Sequence, residues 1–256
     1  MLLKSITKVT IIIATMILSL SSNAIASKAE DKTYDYDYAA LNNRCQVYDP
    51  YESVNRKVFI FNGVLDTFIL RPIAKGYGRF TNDYTKNRVD SFLNNIREPL
   101  SIVNYGIQGK AEGSLKTFWR FAINSTLGLA GIFDVATKFG LTAEPQTFGN
   151  TLAHYGVGSG PYIVLPFFGG TNSRDLMDTL ALNSALNPVM YPMHSDFKNV
   201  LTVTRIIHSR DKIMPFTDYV SKNSPDSYIA IRDAILNERE SKMVYPKDFV
   251  CPRVNK

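Results

Sequence analysis

The stretch EPQTFGNTLAHYGVGSGPYIVLPFFGG, Glu144 to Gly170, decides how the rest of the chain is read. Its first half has the make-up of a loop and a short helix, Gln146 to Tyr155. Gly156, Gly158 and Gly160 then fall on alternate positions, Pro161 follows, and Pro166 interrupts the apolar run Tyr162 to Phe168. Glycine permits backbone conformations closed to other residues, and proline fixes φ while removing a donor. A segment this apolar and this punctuated suits neither a good helix nor a central strand. It needs a shaped, largely buried path, or a lipid-like surface beside it.

On its N-terminal side, Asp49-Pro50-Tyr51-Glu52 has the pattern of a helix start, with Asp as N-cap, Pro in the first turn and Glu reaching back to the cap. Beyond it, Val54, Val58, Phe61, Leu65 and Phe68 make one helical stripe, which Phe59, Ile60, Val64 and Ile69 widen. The polar remainder is narrow, chiefly Asn55, Asn62 and Asp66. A helix apolar over most of its circumference is buried on several sides or touches lipid. Gly63 marks a bend and Arg71-Pro72 a new segment. Lys86–Arg97 reads as a helix stopped before Pro99, followed by a short helix Leu100–Gln108 ended by Gly109. In Lys110–Thr126, Leu115, Phe118, Trp119, Ala122 and Ile123 have the spacing of a buried face. Leu127–Phe139 is short, apolar and broken by Gly128 and Gly131. On the C-terminal side, Asn172–Ala185 reads as a helix ended by Asn187-Pro188. Asp196–Arg210 carries Phe197, Val200, Leu201, Thr204 and Ile207 on one face. Ser224-Pro225-Asp226 caps a last helix running to about Glu240, with Tyr228, Ile231 and Ile235 inward.

Period-2 alternation is nearly absent, so the fold class is all-α: one domain, residues 48–240, of many short amphipathic helices. The segment 27–47 reads as a mobile polar arm and 241–256 as a tail. Residues 1–26 have the pattern of a secretory signal peptide, with Lys4 and Lys8, an apolar core from Val9 to Leu20, and cleavage after Ala26. An uncleaved N-terminal anchor is the alternative. No apolar run in the mature chain reaches the eighteen or so residues of a spanning helix; at a bilayer, the helices would lie in the interface or dip into it.

The chain carries 29 basic and 23 acidic residues, a net charge of +6 that cleavage lowers by two. That excess is compatible with anionic headgroups, and export argues against nucleic acid. In an oxidising compartment Cys45 and Cys251 read as a disulfide closing nearly the whole mature chain, worth about 4–5 kcal/mol on the chain-entropy model. Two free buried thiols are the alternative. Two cysteines and three histidines (His154, His194, His208) without close spacing give no metal signature.

Catalytic constellations do not assemble either. Gly158-Ser159-Gly160 lacks the spacing of a hydrolase elbow, and Pro161 stands where a helix should follow. Gly156-x-Gly158-x-Gly160 is not a dinucleotide fingerprint. Arg97-Glu98 and Arg174-Asp175 read as structural ion pairs or exposed charges, and His154 as a structural histidine.

Several blocks do carry a resemblance. They are Asp49-Pro50-Tyr51-Glu52-Ser53-Val54-Asn55-Arg56, Val64-Leu65-Asp66, Arg71-Pro72, Glu98-Pro99, Val103-Asn104-Tyr105 and Gln108-Gly109. After them come Arg120-Phe121, Asn124-Ser125-Thr126-Leu127-Gly128 and Gly131-Ile132-Phe133-Asp134-Val135-Ala136. Phe148-Gly149-Asn150-Thr151-Leu152, His154-Tyr155-Gly156-Val157-Gly158, Gly160-Pro161-Tyr162, Leu165-Pro166-Phe167 and Arg174-Asp175 follow in order. Together they resemble the MlaA (VacJ) family.

The resemblance implies a ring of mainly in-plane helices around a central channel, set in the inner leaflet of the outer membrane beside a trimeric porin. Through it, phospholipids mislaid in the outer leaflet leave toward the periplasm. A periplasmic lipid-binding protein of an ATP-driven inner-membrane complex receives them, and lipid asymmetry is maintained. No cofactor, metal or catalysis is implied. Phe59, Phe61, Asn62, Gly156, Gly158, Gly160, Pro161, Tyr162 and Pro166 are the candidates for the lipid path or its rim. One departure stands out: many members are lipoproteins, but no cysteine precedes Cys45, and Asn42-Asn43-Arg44 is no lipobox, so an unlipidated N-terminus is expected. The competing reading is a structural or surface outer-membrane protein that supports envelope integrity or host spread without moving lipid.

Overall fold

The structure is a computed structural model and describes residues 47–180 and 192–242. Its elements run α1 (Glu52–Leu65), a π-helical turn (Asp66–Leu70), α2 (Arg71–Phe80), α3 (Asp83–Ile107), α4 (Ala111–Thr126) and a 3-10 turn (Ala136–Phe139). Then come α5 (Phe148–His154), the strands β1 (Tyr162–Leu165) and β2 (Gly169–Asn172), α6 (Leu176–Leu180), α7 (Ser195–Asn223) and α8 (Ser227–Ser241). The molecule is mainly helical, as the sequence indicates. Cys45, Cys251, Ala26 and the Asn187-Pro188 helix end lie outside the described residues.

Burial runs opposite to that of a water-soluble domain. Among the described residues, apolar burial falls in small groups and scattered single positions. Tyr162, Val164, Tyr228 and Leu236 pack with Val47, Val58 and Phe59, and Ile96 and Leu201 pack with Phe92, Met193 and Phe197. Meanwhile Phe68 is 76% exposed and Phe80 82%, whereas Asn55, Arg120 and Asn104 are each 2% exposed. Exposed large apolar residues recur along α1, α2, α4 and α7, so this is a continuing property of the helices and not one stray patch.

This corrects the expected face of α4. Leu115, Phe118 and Trp119 point outward, while Thr117, Arg120 and Asn124 are buried. The spacing of the apolar stripe is helical, but the side that meets the rest of the protein is the polar one. Gly113 continues that inner line: a Cβ there would come within 2.6 Å of the Tyr105 ring, so its absence lets α3 and α4 approach closely. In α1, likewise, the narrow polar strip faces the protein and the wide apolar face lies outside.

Other boundaries differ for local reasons. Asp49 does not cap α1; Tyr51 precedes it without a side-chain cap, and the Asp49 carboxylate accepts instead from Asn55, Tyr228 and Arg232. Pro99 does not stop α3, which runs through it. A proline there removes one ladder bond, but the buried Glu98 is held by Arg120 Nε at 3.0 Å, and Ser101 exchanges hydrogen bonds with Gln146. Tertiary bonds on both sides of the proline keep the helix continuous. Pro215 likewise lies inside α7, which extends beyond Arg210, with Arg210 paired to Asp66 before it and Asp218 to Arg71 after it. Signals with a complete local mechanism hold: Gly109 ends α3 at φ 70°, and Asp226 caps α8 by accepting from the Tyr228 and Ile229 amides.

Candidate functional site

The segment singled out at the start folds as α5, a glycine-rich turn and a β-hairpin. The hairpin was not expected; its first strand alternates in burial, and Asn172, expected in a helix, ends its second. The register pairs Tyr162 with Asn172 and Leu165 with Gly169. A lone hairpin is marginal in water, and here α1 replaces the missing third strand. Asn55 donates to Tyr162 O at 3.0 Å and accepts from Val164 N at 2.9 Å. Seven residues on, Asn62 donates to Leu165 O at 2.9 Å and accepts from Phe167 N at 2.8 Å. Two helical turns rise about 10 Å, as do three strand residues, so the first amide meets the outer edge of β1 and the second the turn that follows it. Four residues further, Asp66 takes a bidentate pair from Arg210, with Nη2 at 2.7 Å. Asn55 and Asn62 of α1 and Asp66 of the π-helical turn thus fasten this apolar-faced segment to the protein.

The turn before the hairpin depends on left-handed backbone, with Gly156 at φ 85° and Gly160 at φ 66°. A Cβ on Gly160 would lie 2.1 Å from Ser173 Oγ. Below the turn, Arg174 Nε meets Asp175 Oδ1 at 2.9 Å and its Nη2 meets Glu240 at 3.2 Å, while Arg239 reaches Asp175 at 3.2 Å. Arg174-Asp175 is therefore a buried structural pair that ties the hairpin to α8. Asp178 accepts from the amides of Phe148 and Gly149 at the start of α5. On the other side of α5, Thr151 donates to Asn104 at 2.7 Å and accepts from Gln108.

Of the nominated residues, Phe61, Asn62 and Pro166 come together at the hairpin tip. There the Phe61 ring meets Phe167 edge-on at 5.6 Å, and both Phe167 and Phe168 are exposed. Phe59 lies elsewhere, edge-on to Tyr228 at 5.5 Å, and Tyr162 is buried in the same small core. Burial and the nearby Asp49 carboxylate push the Tyr162 hydroxyl up to about 12. Gly156, Gly158, Gly160 and Pro161 form the turn between α5 and β1.

Sequence reasoning missed the second polar centre, on α4. Arg120 donates through Nε to Glu98, through Nη1 to Thr137 (3.1 Å) and to the Leu141 carbonyl, and through Nη2 to Asp134 (3.2 Å). Asn124 donates to Asp134 and accepts from Ala136 N. Glu98 thus pairs with Arg120 and not with its neighbour Arg97. Burial raises the Glu98 carboxyl, with Arg120 opposing. At Asp134 burial also acts upward, but hydrogen bonds from Thr137 and Asn124 and the charge of Arg120 bring it below the usual range. The available signal was the helical spacing of Gly113, Thr117, Arg120 and Asn124.

His208 is buried on α7, 2.9 Å from the Tyr77 hydroxyl and 3.0 Å from Asp90, while His154 stacks edge-on with Tyr155. Ser159, by contrast, meets Ser173 and Arg174 through its backbone carbonyl. What the arrangement offers chemically is a polar interior, rigidly hydrogen-bonded, inside an apolar exterior.

Comparison with known proteins agrees in extent with the described fold. A family model described as MlaA lipoprotein matches residues 47–242. A chain from Rickettsia conorii is 50% identical, covering 96% of this chain and 98% of its own. The intermembrane phospholipid transport system lipoprotein MlaA of Shigella flexneri is 36% identical over 75% of this chain and 77% of its own; that of Escherichia coli K12 is 34% identical over the same shares. A solved structure from work on the structural basis for maintenance of bacterial outer membrane lipid asymmetry matches with a TM-score of 0.67 and 33% identity, covering 76% of this chain and 98% of that one. The lipoprotein names of these relatives lend no support to an unlipidated N-terminus. By family model, sequence and fold together, this chain belongs to the MlaA lipoprotein family.

Proposed function

We propose that this protein is a non-catalytic phospholipid transport component of the outer membrane. It removes mislocalised phospholipid from the outer leaflet toward the periplasm and so maintains lipid asymmetry. The carrying observation is the inverted burial: apolar faces of α1, α2, α4 and α7 outside, hydrogen-bonded polar side chains inside. No helix among the described residues is long and apolar enough to cross a membrane, so the apolar exterior suits a body seated in one leaflet, on the periplasmic side. The relatives named for intermembrane phospholipid transport support the same reading.

In this reading the domain 48–240, exported by the leader 1–26, forms a ring around a channel. The turn Gly156–Pro161 and the tip residues Phe61, Asn62 and Pro166 frame its rim. A trimeric porin stands beside it, and a periplasmic lipid-binding protein of an ATP-driven inner-membrane complex receives the lipid. Moving a lipid needs no covalent step, only a path that shields acyl chains and hydrates the headgroup. The test is deletion followed by labelling of surface-exposed aminophospholipid with an impermeant amine reagent. Labelling rises on deletion and returns to normal on re-expression; unchanged labelling would favour the purely structural envelope role.

A further inference from the structure

Ion pairing occupies most arginines of the described fold, among them Arg56, Arg71, Arg120, Arg174, Arg210, Arg232 and Arg239. Arg79 and Arg88 stand outside that set, and so do Arg97 on α3 and Arg205 on α7. The last two are largely shielded from solvent, and neither makes an ion pair with any described residue. The Nε–H of Arg205 is buried without a hydrogen-bond partner among the described residues, as is that of Arg88, whose guanidinium lies over the rings of Tyr84 and Phe133. A buried charged donor left in that state costs several kcal/mol, so it calls for an explanation.

Arg97 and Arg205 stand on facing helices. Lys86 pairs with Asp211 at 2.6 Å, His208 lies 3.0 Å from Asp90, and Ile96 packs with Leu201, so α3 and α7 run antiparallel. Arg97 follows Ile96 and Arg205 lies one turn beyond Leu201, which in an antiparallel pair offsets them by about five residues, roughly 7–8 Å along the axes, a gap that two long side chains span. Burial lowers both guanidiniums from their usual range; at Arg205 the charge of Arg97 adds to that, and at Arg97 Asp178 opposes it. Asp178 also accepts from the amides of Phe148 and Gly149. Two like charges are therefore held within reach of one another, beside the apolar group of Phe92, Ile96, Leu201, Met193 and Phe197. Guanidiniums present donors in the fork that phosphate oxygens accept, and apolar side chains alongside suit an acyl chain.

We propose that Arg97 and Arg205 form a phosphate seat, with the adjoining apolar cluster taking the acyl chains of the lipid that carries the phosphate. The inference rests on the transport reading for its lipid, but not for its phosphate chemistry. One anion between the two arginines would relieve their repulsion and satisfy the open donor of Arg205.

The test uses the full chain in detergent micelles and native mass spectrometry with phosphatidylglycerol, chain-matched diacylglycerol and inorganic phosphate as separate probes. Wild type should bind phosphatidylglycerol about tenfold or more over diacylglycerol, and Arg97→Gln or Arg205→Gln should each lose about tenfold, the scale of one charged hydrogen bond. Melting of the lipid-free variants separates this from a structural role: removing one of two like charges leaves the midpoint unchanged or higher. Equal binding of the two lipids, unchanged preference in both variants, or a melting loss of several degrees in both would overturn the proposal. Arginine-dependent binding of inorganic phosphate without lipid would overturn the lipid half and leave an anion site. If the phospholipid preference holds while deletion leaves asymmetry unchanged, the seat stands and the transport reading falls.

Discussion

Replacing Asn55 separates this architecture from an ordinary apolar-core helix. Asn55 is 2% exposed and makes three hydrogen bonds, to Asp49 (2.8 Å), Tyr162 O (3.0 Å) and Val164 N (2.9 Å). Asp49 retains Tyr228 and Arg232 when the amide goes. The carbonyl of Tyr162 and the amide of Val164 have no such reserve: they sit on the strand edge away from β2, in residues that are 1% and 5% exposed. Leaving two buried backbone groups unsatisfied, at about 1–3 kcal/mol each, sets the cost of Asn55→Ala near 3–5 kcal/mol. For a domain of this size that is a fall in melting midpoint of roughly 6–20 °C. Thermal unfolding of the detergent-solubilised protein, followed by circular dichroism, measures it. Asn55→Leu is the sharper variant, because it extends the apolar face of α1 into its polar strip. If α1 were held by hydrophobic burial, Leu would stabilise; the amide-to-strand geometry requires a loss comparable with that of Ala. A midpoint for Asn55→Leu at or above wild type would refute the reasoning.

Three further outcomes are expected. Gly160→Val, introduced at φ 66° with Ser173 Oγ 2.1 Å from the new Cβ, should destabilise by about 1–2 kcal/mol or more and impair the asymmetry phenotype, whereas Gly63→Ala, with open space around it in α1, should stabilise by about 0.5–1 kcal/mol; paired melting curves compare them. Arg120→Ala leaves Glu98 buried and uncompensated and frees the 3-10 turn, a loss of about 3–5 kcal/mol visible in denaturant titration, while Glu98→Gln costs less because the Arg120 guanidinium keeps Thr137, Leu141 and Asp134. The Asp134 carboxyl is lowered from 3.8 in the folded chain, so its contribution is complete above that pH and is lost as pH falls through the folded value. Melting measured from pH 6 down to pH 2 should drop at the acid end, and Asp134→Asn should flatten that acid limb while lowering the neutral plateau.

Much of the fold was legible because its signals are local. The Asp226 cap and the Gly109 stop each need only a few neighbouring residues, and each appears where the sequence places it, whereas at Arg71-Pro72 the backbone stays helical through the expected break. The direction of burial was not legible, because helical periodicity marks two faces without saying which solvent each one meets. Leu115, Phe118 and Trp119 were therefore assigned inward although Thr117, Arg120 and Asn124 occupy the interior. Pro99 misled for a related reason: the bonds of Glu98 and Ser101 that carry α3 across it join residues 22 and 45 positions apart. In the site, Asn62 was recognised, but its twin Asn55 was seen only as part of a polar strip. Their common task requires a hairpin more than a hundred residues away. Phe59 and Tyr162 look like rim residues by composition, yet they pack in the small core near α8.

The outward apolar faces also shape how this protein should respond to temperature. Unfolding of a soluble domain exposes buried apolar surface to water, and the resulting heat-capacity increase bends its stability curve. Here Phe68, Phe80, Leu115 and Trp119 are already turned outward in the folded chain. In a micelle or bilayer they exchange one hydrocarbon contact for another when the helices separate. Cohesion rests on directional bonds such as those of Asn55 and Arg120, so the stability curve should be unusually flat, with little weakening on cooling.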